Sequence, residues 1–108
     1  MRLFAFAGLL AGLLAIHLPA QAEDAADIAA GRDLAKMWCA ECHITGAGQP
    51  KAVNDAIPSF AAVANSPGVT EMALRAFLAT PHPVMPNIAL TRPQTDQIVA
   101  YILSLRAR

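Results

Sequence analysis

The chain has two cysteines, Cys39 and Cys42, which are separated by two residues and followed directly by His43. Side chains three residues apart lie on one side of a helical turn, so both thiols can reach the vinyl groups on one edge of a porphyrin. The adjacent imidazole can then approach the iron as its proximal ligand. Cys-x-x-Cys-His is the pattern of covalent haem attachment. The sequence therefore predicts one covalent haem, with thioethers from Cys39 and Cys42 and with His43 as an axial ligand.

Two other chemistries use cysteines at this spacing. One is a disulfide or redox-active dithiol, which normally accompanies a βαβ unit that this sequence lacks. The other is a zinc site, which would have to draw on Cys39, Cys42, His43 and His82. The sequential Cys-His pair has poor geometry for a single tetrahedral ion. Haem is the interpretation that agrees best with the adjacent histidine, and the other two stay open as alternatives.

The N-terminal segment has the layout of a secretory signal peptide. Arg2 supplies a positive charge, residues 3–16 are apolar, and an Ala-x-Ala site ends at Ala22. An uncleaved membrane anchor is the alternative, but the apolar run is short for a span and is followed by a histidine and a proline. We expect cleavage after Ala22, export to the periplasm, and a single domain over residues 23–108.

The composition excludes several classes of function. Eight Lys and Arg oppose eight Asp and Glu, and no basic run could follow a phosphate backbone, so nucleic acid is not an expected partner. The sequence has no nucleotide-binding motif and no catalytic dyad, so we predict neither enzyme activity nor a small-molecule substrate. A domain of this size has a thin core, and a buried haem would supply apolar interior that the chain lacks.

Apolar residues recur at helical spacing before the cysteines and again near the C-terminus. A first helix, with Asp24 as its N-cap, is predicted to run toward the cysteines. Thr91 and Gln94 form a capping box that begins a last helix. The predicted buried stripe of the first helix comprises Ile28, Gly31, Leu34, Ala35 and Trp38, and that of the last helix comprises Ile98, Tyr101, Ile102 and Leu105.

Two shorter helices are predicted between these. One covers residues 61–64, and the other is capped by Thr70 and has Leu74, Phe77 and Leu78 on one face. No segment shows the alternation of a strand. The sequence therefore predicts an all-α domain of three to five short helices.

Residues 80–87 form a stiff loop, because three prolines fix φ and remove backbone donors. Met85 lies at the centre of this loop, far along the chain from His43. A thioether ligand favours ferrous iron and raises the reduction potential. We therefore expect Met85 to be the second axial ligand. His82 is the alternative, and its place between two prolines favours an exposed histidine with no ligand role.

The haem motif, the Met85-Pro86 loop and the closing helix together resemble class I cytochrome c, a family of small electron carriers. The resemblance covers nearly all of residues 23–108. It implies an all-α cytochrome c fold around one covalent haem c, with His43 and Met85 as axial ligands. It also implies electron transfer between redox partner proteins in the periplasm.

The resemblance implies two further contacts. In the family, a proline carbonyl accepts a hydrogen bond from the free ring nitrogen of the haem histidine, and Pro58 is the best match to that proline. The first and last helices of the family cross where a small residue meets an aromatic residue. Gly31 and Tyr101 match those two positions.

Two other functions are compatible with a covalent haem. A gas-binding or sensor module needs an open or weakly held distal position, which a methionine in a rigid loop disfavours. A haem subunit of a larger oxidoreductase would have the same chemistry and would differ only in its association with other subunits.

Overall fold

The structure is a computed structural model that describes residues 20–49, 56–81 and 84–108. These ranges contain four α-helices and no strand, which confirms the all-α prediction. The helices are α1 (Ala20–Trp38), α2 (Phe60–Asn65), α3 (Glu71–Ala79) and α4 (Arg92–Ser104). Nearly all of the predicted signal peptide, residues 1–19, lies outside the described residues, as does His82. None of the helices in the described ranges combines the length and the apolar character that crossing a membrane requires.

The first helix begins upstream of the predicted cap. α1 starts at Ala20 and continues without a break through Asp24, which is an exposed residue inside the helix. The prediction that Asp24 is the N-cap is therefore wrong for the full chain. Alanine has the highest helix propensity of all residue types. Ala20 and Ala22 precede Asp24, so the backbone before Asp24 continues the helical hydrogen bonds. Cleavage after Ala22 stays a prediction.

α4 packs more extensively against α1 than against α2 or α3. Gly31 is buried where α1 and α4 cross. A Cβ at this position would collide with the backbone carbonyl of Gln97 and would lie 2.9 Å from Cβ of Tyr101. Only a hydrogen atom fits there, so glycine allows the two helix backbones to approach closely. The structure thus contains the predicted contact between Gly31 and Tyr101.

The three later helices each begin at a hydroxyl-bearing cap residue, which is Ser59 for α2, Thr70 for α3 and Thr91 for α4. In each case the side-chain oxygen accepts a hydrogen bond from the backbone N–H three residues later. Thr91 also completes a capping box with Gln94. Both predicted caps, Thr70 and Thr91, are confirmed, and α2 is one residue longer at each end than predicted.

The core lies where α4 meets the other helices. Its buried apolar residues are Ala35, Phe60, Ala64, Leu74, Ile98, Val99, Tyr101 and Ile102. Phe77 departs from the prediction, because its side chain is 48% exposed while Leu74 is buried and Leu78 is half-buried. Phe77 precedes Leu78 directly, so the two point about 100° apart around the helix. The buried face of this short helix is too narrow to include both.

Candidate haem-attachment site

The two cysteines lie in the turn that directly follows α1. The backbone N–H of Cys39 donates to the carbonyl oxygen of Ala35 at 2.9 Å, and that of His43 donates to the carbonyl oxygen of Cys39 at 2.9 Å. Cys39 is half-buried, Cys42 is exposed, and both are free thiols. Burial raises the pKa of the Cys39 thiol, because the thiolate would lose its hydration. Two free thiols on one turn are the groups that covalent haem attachment uses.

The ring of His43 is held by a backbone carbonyl. Its Nδ1 lies 2.7 Å from the carbonyl oxygen of Pro58. A carbonyl oxygen can only accept, so Nδ1 carries a proton and donates, and Nε2 takes no part in this bond. The ring also contacts Phe60, with the two ring centroids 5.4 Å apart. A neutral imidazole with Nε2 free and the other nitrogen bonded is the usual state of a metal-ligating histidine.

An apolar cleft lies beside the cysteine turn. Its walls include Trp38 at the end of α1 and Cys39 directly after it, together with Leu78 from α3 and Ile98 from α4. Met85 lines the same cleft and is half-buried. The fold therefore brings the predicted methionine ligand and one predicted thioether cysteine to a common apolar space, although they are far apart in the sequence.

These residues fit a haem. Imidazole and thioether are established axial ligands of haem iron, and two thiols are available for attachment. Apolar walls suit the porphyrin ring, which needs cover from water. Zinc fits less well, because no three His, Cys, Asp or Glu side chains gather to hold a metal ion in the ranges that the structure describes.

The loop after the cysteines contains Gln49, whose side-chain contacts the sequence does not predict. Its amide bonds to the carbonyl oxygens of Ala40 and His43 and to Thr45. The hydroxyl of Tyr101 in turn donates to the buried carbonyl oxygen of Thr45. No residue pattern predicts such a contact. Whether a glutamine in a loop forms hydrogen bonds with the protein or with solvent depends on how the loop closes.

A known protein aligns with most of this sequence. A cytochrome c-552 from Bradyrhizobium diazoefficiens is 46% identical to it over 94 residues, which cover 87% of this chain and 89% of that protein. Neither the protein-family models nor the solved structures gave a match. Identity at this level over most of both chains shows common family membership, and it agrees with the helical fold and with the spacing of Cys39 and Cys42. The chain therefore belongs to the class I c-type cytochromes, the electron-transfer proteins that carry a covalently bound haem c.

Proposed function

We propose that this chain is a periplasmic electron carrier in which His43 and Met85 are the two axial ligands of the haem iron. The observation that supports this most is the shared cleft, in which Met85 and Cys39 line the same apolar space. The bond from His43 Nδ1 to the Pro58 carbonyl adds support, because it leaves Nε2 available. In this proposal, the carbonyl of Pro58 orients the ring and increases its basicity.

A bound haem c supplies the one-electron chemistry, and the chain determines the conditions for it. Cys39 and Cys42 hold the group permanently, so it does not dissociate between partners. The thioether of Met85 raises the reduction potential relative to a second histidine. The apolar walls of the cleft limit water near the site, which also affects the potential.

The partners in this proposal are redox proteins that donate and accept single electrons. Nearly balanced charge predicts only modest electrostatic steering toward them. The periplasmic location depends on the N-terminal segment, in which Arg2, an apolar run and the Ala22 site form the pattern of a cleaved signal peptide.

Replacement of Met85 tests the ligation. We expect Met85→Ala to retain covalent haem but to lower the potential by on the order of 100 mV, within the roughly 0.8 V range that axial ligands span. The reduced variant should also bind CO readily, because its sixth position is open. Optical spectra and a potentiometric titration measure both effects.

Met72→Ala is the matched control, because Met72 is 80% exposed on α3. This variant should keep the wild-type spectrum and potential. If Met85→Ala also keeps both, Met85 is not the ligand, and His82→Ala is the next variant to measure. Rapid and complete CO binding by the reduced wild-type protein would instead favour a gas-binding module.

A further inference from the structure

The side-chain amide of Gln49 is fully used within the loop that follows the cysteines. Its Nε2 donates to the carbonyl oxygen of Ala40 at 3.0 Å and to that of His43 at 2.6 Å. Its Oε1 accepts from the backbone N–H of Thr45 at 2.8 Å and from the Thr45 hydroxyl at 2.9 Å. A primary amide has two N–H donors and one oxygen with two lone pairs, so every hydrogen-bonding position of the group is occupied.

The two donor contacts hold the turn that carries the haem motif. Ala40 lies between the two cysteines, and the second acceptor is the carbonyl of His43 itself. Both carbonyls come after the end of α1, and the backbone hydrogen bonds of this turn run to the carbonyl oxygens of Ala35 and Cys39 instead. The Gln49 side chain therefore restrains the backbone at His43, while the Pro58 carbonyl restrains its ring.

The two acceptor contacts connect this turn to the core. Thr45 is 2% exposed, and its carbonyl oxygen accepts a hydrogen bond of 2.5 Å from the hydroxyl of Tyr101. Tyr101 is itself 6% exposed and belongs to α4. A chain of hydrogen bonds therefore runs from α4 through Thr45 and Gln49 to the backbone of His43.

We propose that Gln49 is a positioning residue for the haem histidine. Its amide fixes where the His43 backbone lies relative to α4, and the Pro58 carbonyl fixes the rotation of the ring. Together they determine the orientation in which the imidazole meets the iron. This inference rests on the proposed ligation by His43. The positioning role requires both the donors and the acceptor of an amide, so no apolar side chain of similar length can replace Gln49.

Gln49→Met is the main test, because methionine has a similar length, adds no charge and removes all four bonds. The measurement is the proton NMR spectrum of the ferric holoprotein, in which the spread and order of the haem-methyl resonances report axial-ligand orientation. We expect Gln49→Met to change that pattern in protein that is fully folded. A wild-type pattern in folded Gln49→Met would overturn the proposal, whatever happens to the stability.

If Gln49→Met yields no holoprotein, a less disruptive variant and its matched control test the proposal. Thr45→Val removes only the hydroxyl contact with Gln49 and nearly preserves side-chain shape. It should shift the haem-methyl pattern to a smaller extent, and an unchanged pattern would overturn the proposal. Thr70→Val is the matched control, because it removes the exposed cap of α3 and should lower the denaturation midpoint without altering the pattern.

The same spectra separate this proposal from the ligation on which it rests. If the wild-type protein lacks the optical and NMR features of histidine ligation, the assignment of His43 fails, independently of Gln49. If wild type has those features and Gln49→Met and Thr45→Val share its haem-methyl pattern, only the positioning role is wrong.

Discussion

At the scale of single residues, Tyr101 serves two purposes, of which the family resemblance implied only the contact with Gly31. Its Cβ lies against Gly31 where α1 and α4 cross. Its hydroxyl donates to the carbonyl of Thr45, in the loop after the cysteines. The ring contacts Phe60 as well, with centroids 6.4 Å apart, and Phe60 contacts His43. Tyr101 therefore connects the helix crossing with the surroundings of the haem histidine.

Tyr101→Phe isolates the contribution of the hydroxyl. We expect a loss of about 1–3 kcal/mol in the free energy of unfolding, because the buried carbonyl of Thr45 loses its donor. Chemical denaturation of the holoprotein measures this. Tyr101→Leu is the comparison, and it should lose more because ring packing is removed too. Equal stability of wild type and Tyr101→Phe would show that the hydrogen bond contributes nothing.

The residues around the haem motif differ in how far the sequence could predict them. Cys39, Cys42 and His43 follow from a local spacing that few chemistries share. The contact from His43 to Pro58 follows from the family resemblance, since fifteen residues separate the two and no spacing rule connects them. Gln49 could not be predicted, because its bonds depend on loop closure and not on a pattern.

At the scale of helices, the crossing of α1 and α4 depends on the absence of a side chain at Gly31. Tyr101 and the backbone at Gln97 occupy the space that a Cβ would need. A backbone cannot move aside as a flexible side chain does, so any larger residue forces the helices apart. The core residues that line this contact, Ala35 and Ile98 among them, would then lose packing.

Gly31→Val should destabilise the fold by about 3 kcal/mol or more, at or beyond the usual range for overpacking. Ala29→Val is the matched control, because Ala29 is exposed on the same helix and the change costs only about 0.5 kcal/mol in helix propensity. Denaturation midpoints of the two holoproteins give the comparison. Similar midpoints would mean that α1 and α4 do not cross closely at Gly31.

Helix starts were predictable where the signal is local. Thr70 and Thr91 cap their helices as expected. A threonine hydroxyl just before the first helical turn accepts a hydrogen bond from a backbone N–H of that turn, which has no partner within the helix. Asp24 has the same chemistry but does not cap α1, because the residues before it also favour a helix. Periodicity predicts Phe77 on the buried face, although it is exposed, because a sequence period gives the phase of a helix but not the width of its contact.

At the scale of the whole molecule, the described fold has a small interior that centres on α4. Ile98 and Val99 are its largest fully buried side chains. Such a core is thin for a domain of this size, and a covalently bound haem c would add apolar volume to it. Haem attachment and folding are therefore expected to stabilise one another.

Intact mass of the purified protein tests this view of the molecule most directly. The protein is to be expressed in full length in a host with working haem maturation and export. We expect one species with the mass of residues 23–108 plus one haem, in which the haem stays attached after denaturation. A bare polypeptide, or a haem released by denaturant, would contradict covalent attachment through Cys39 and Cys42.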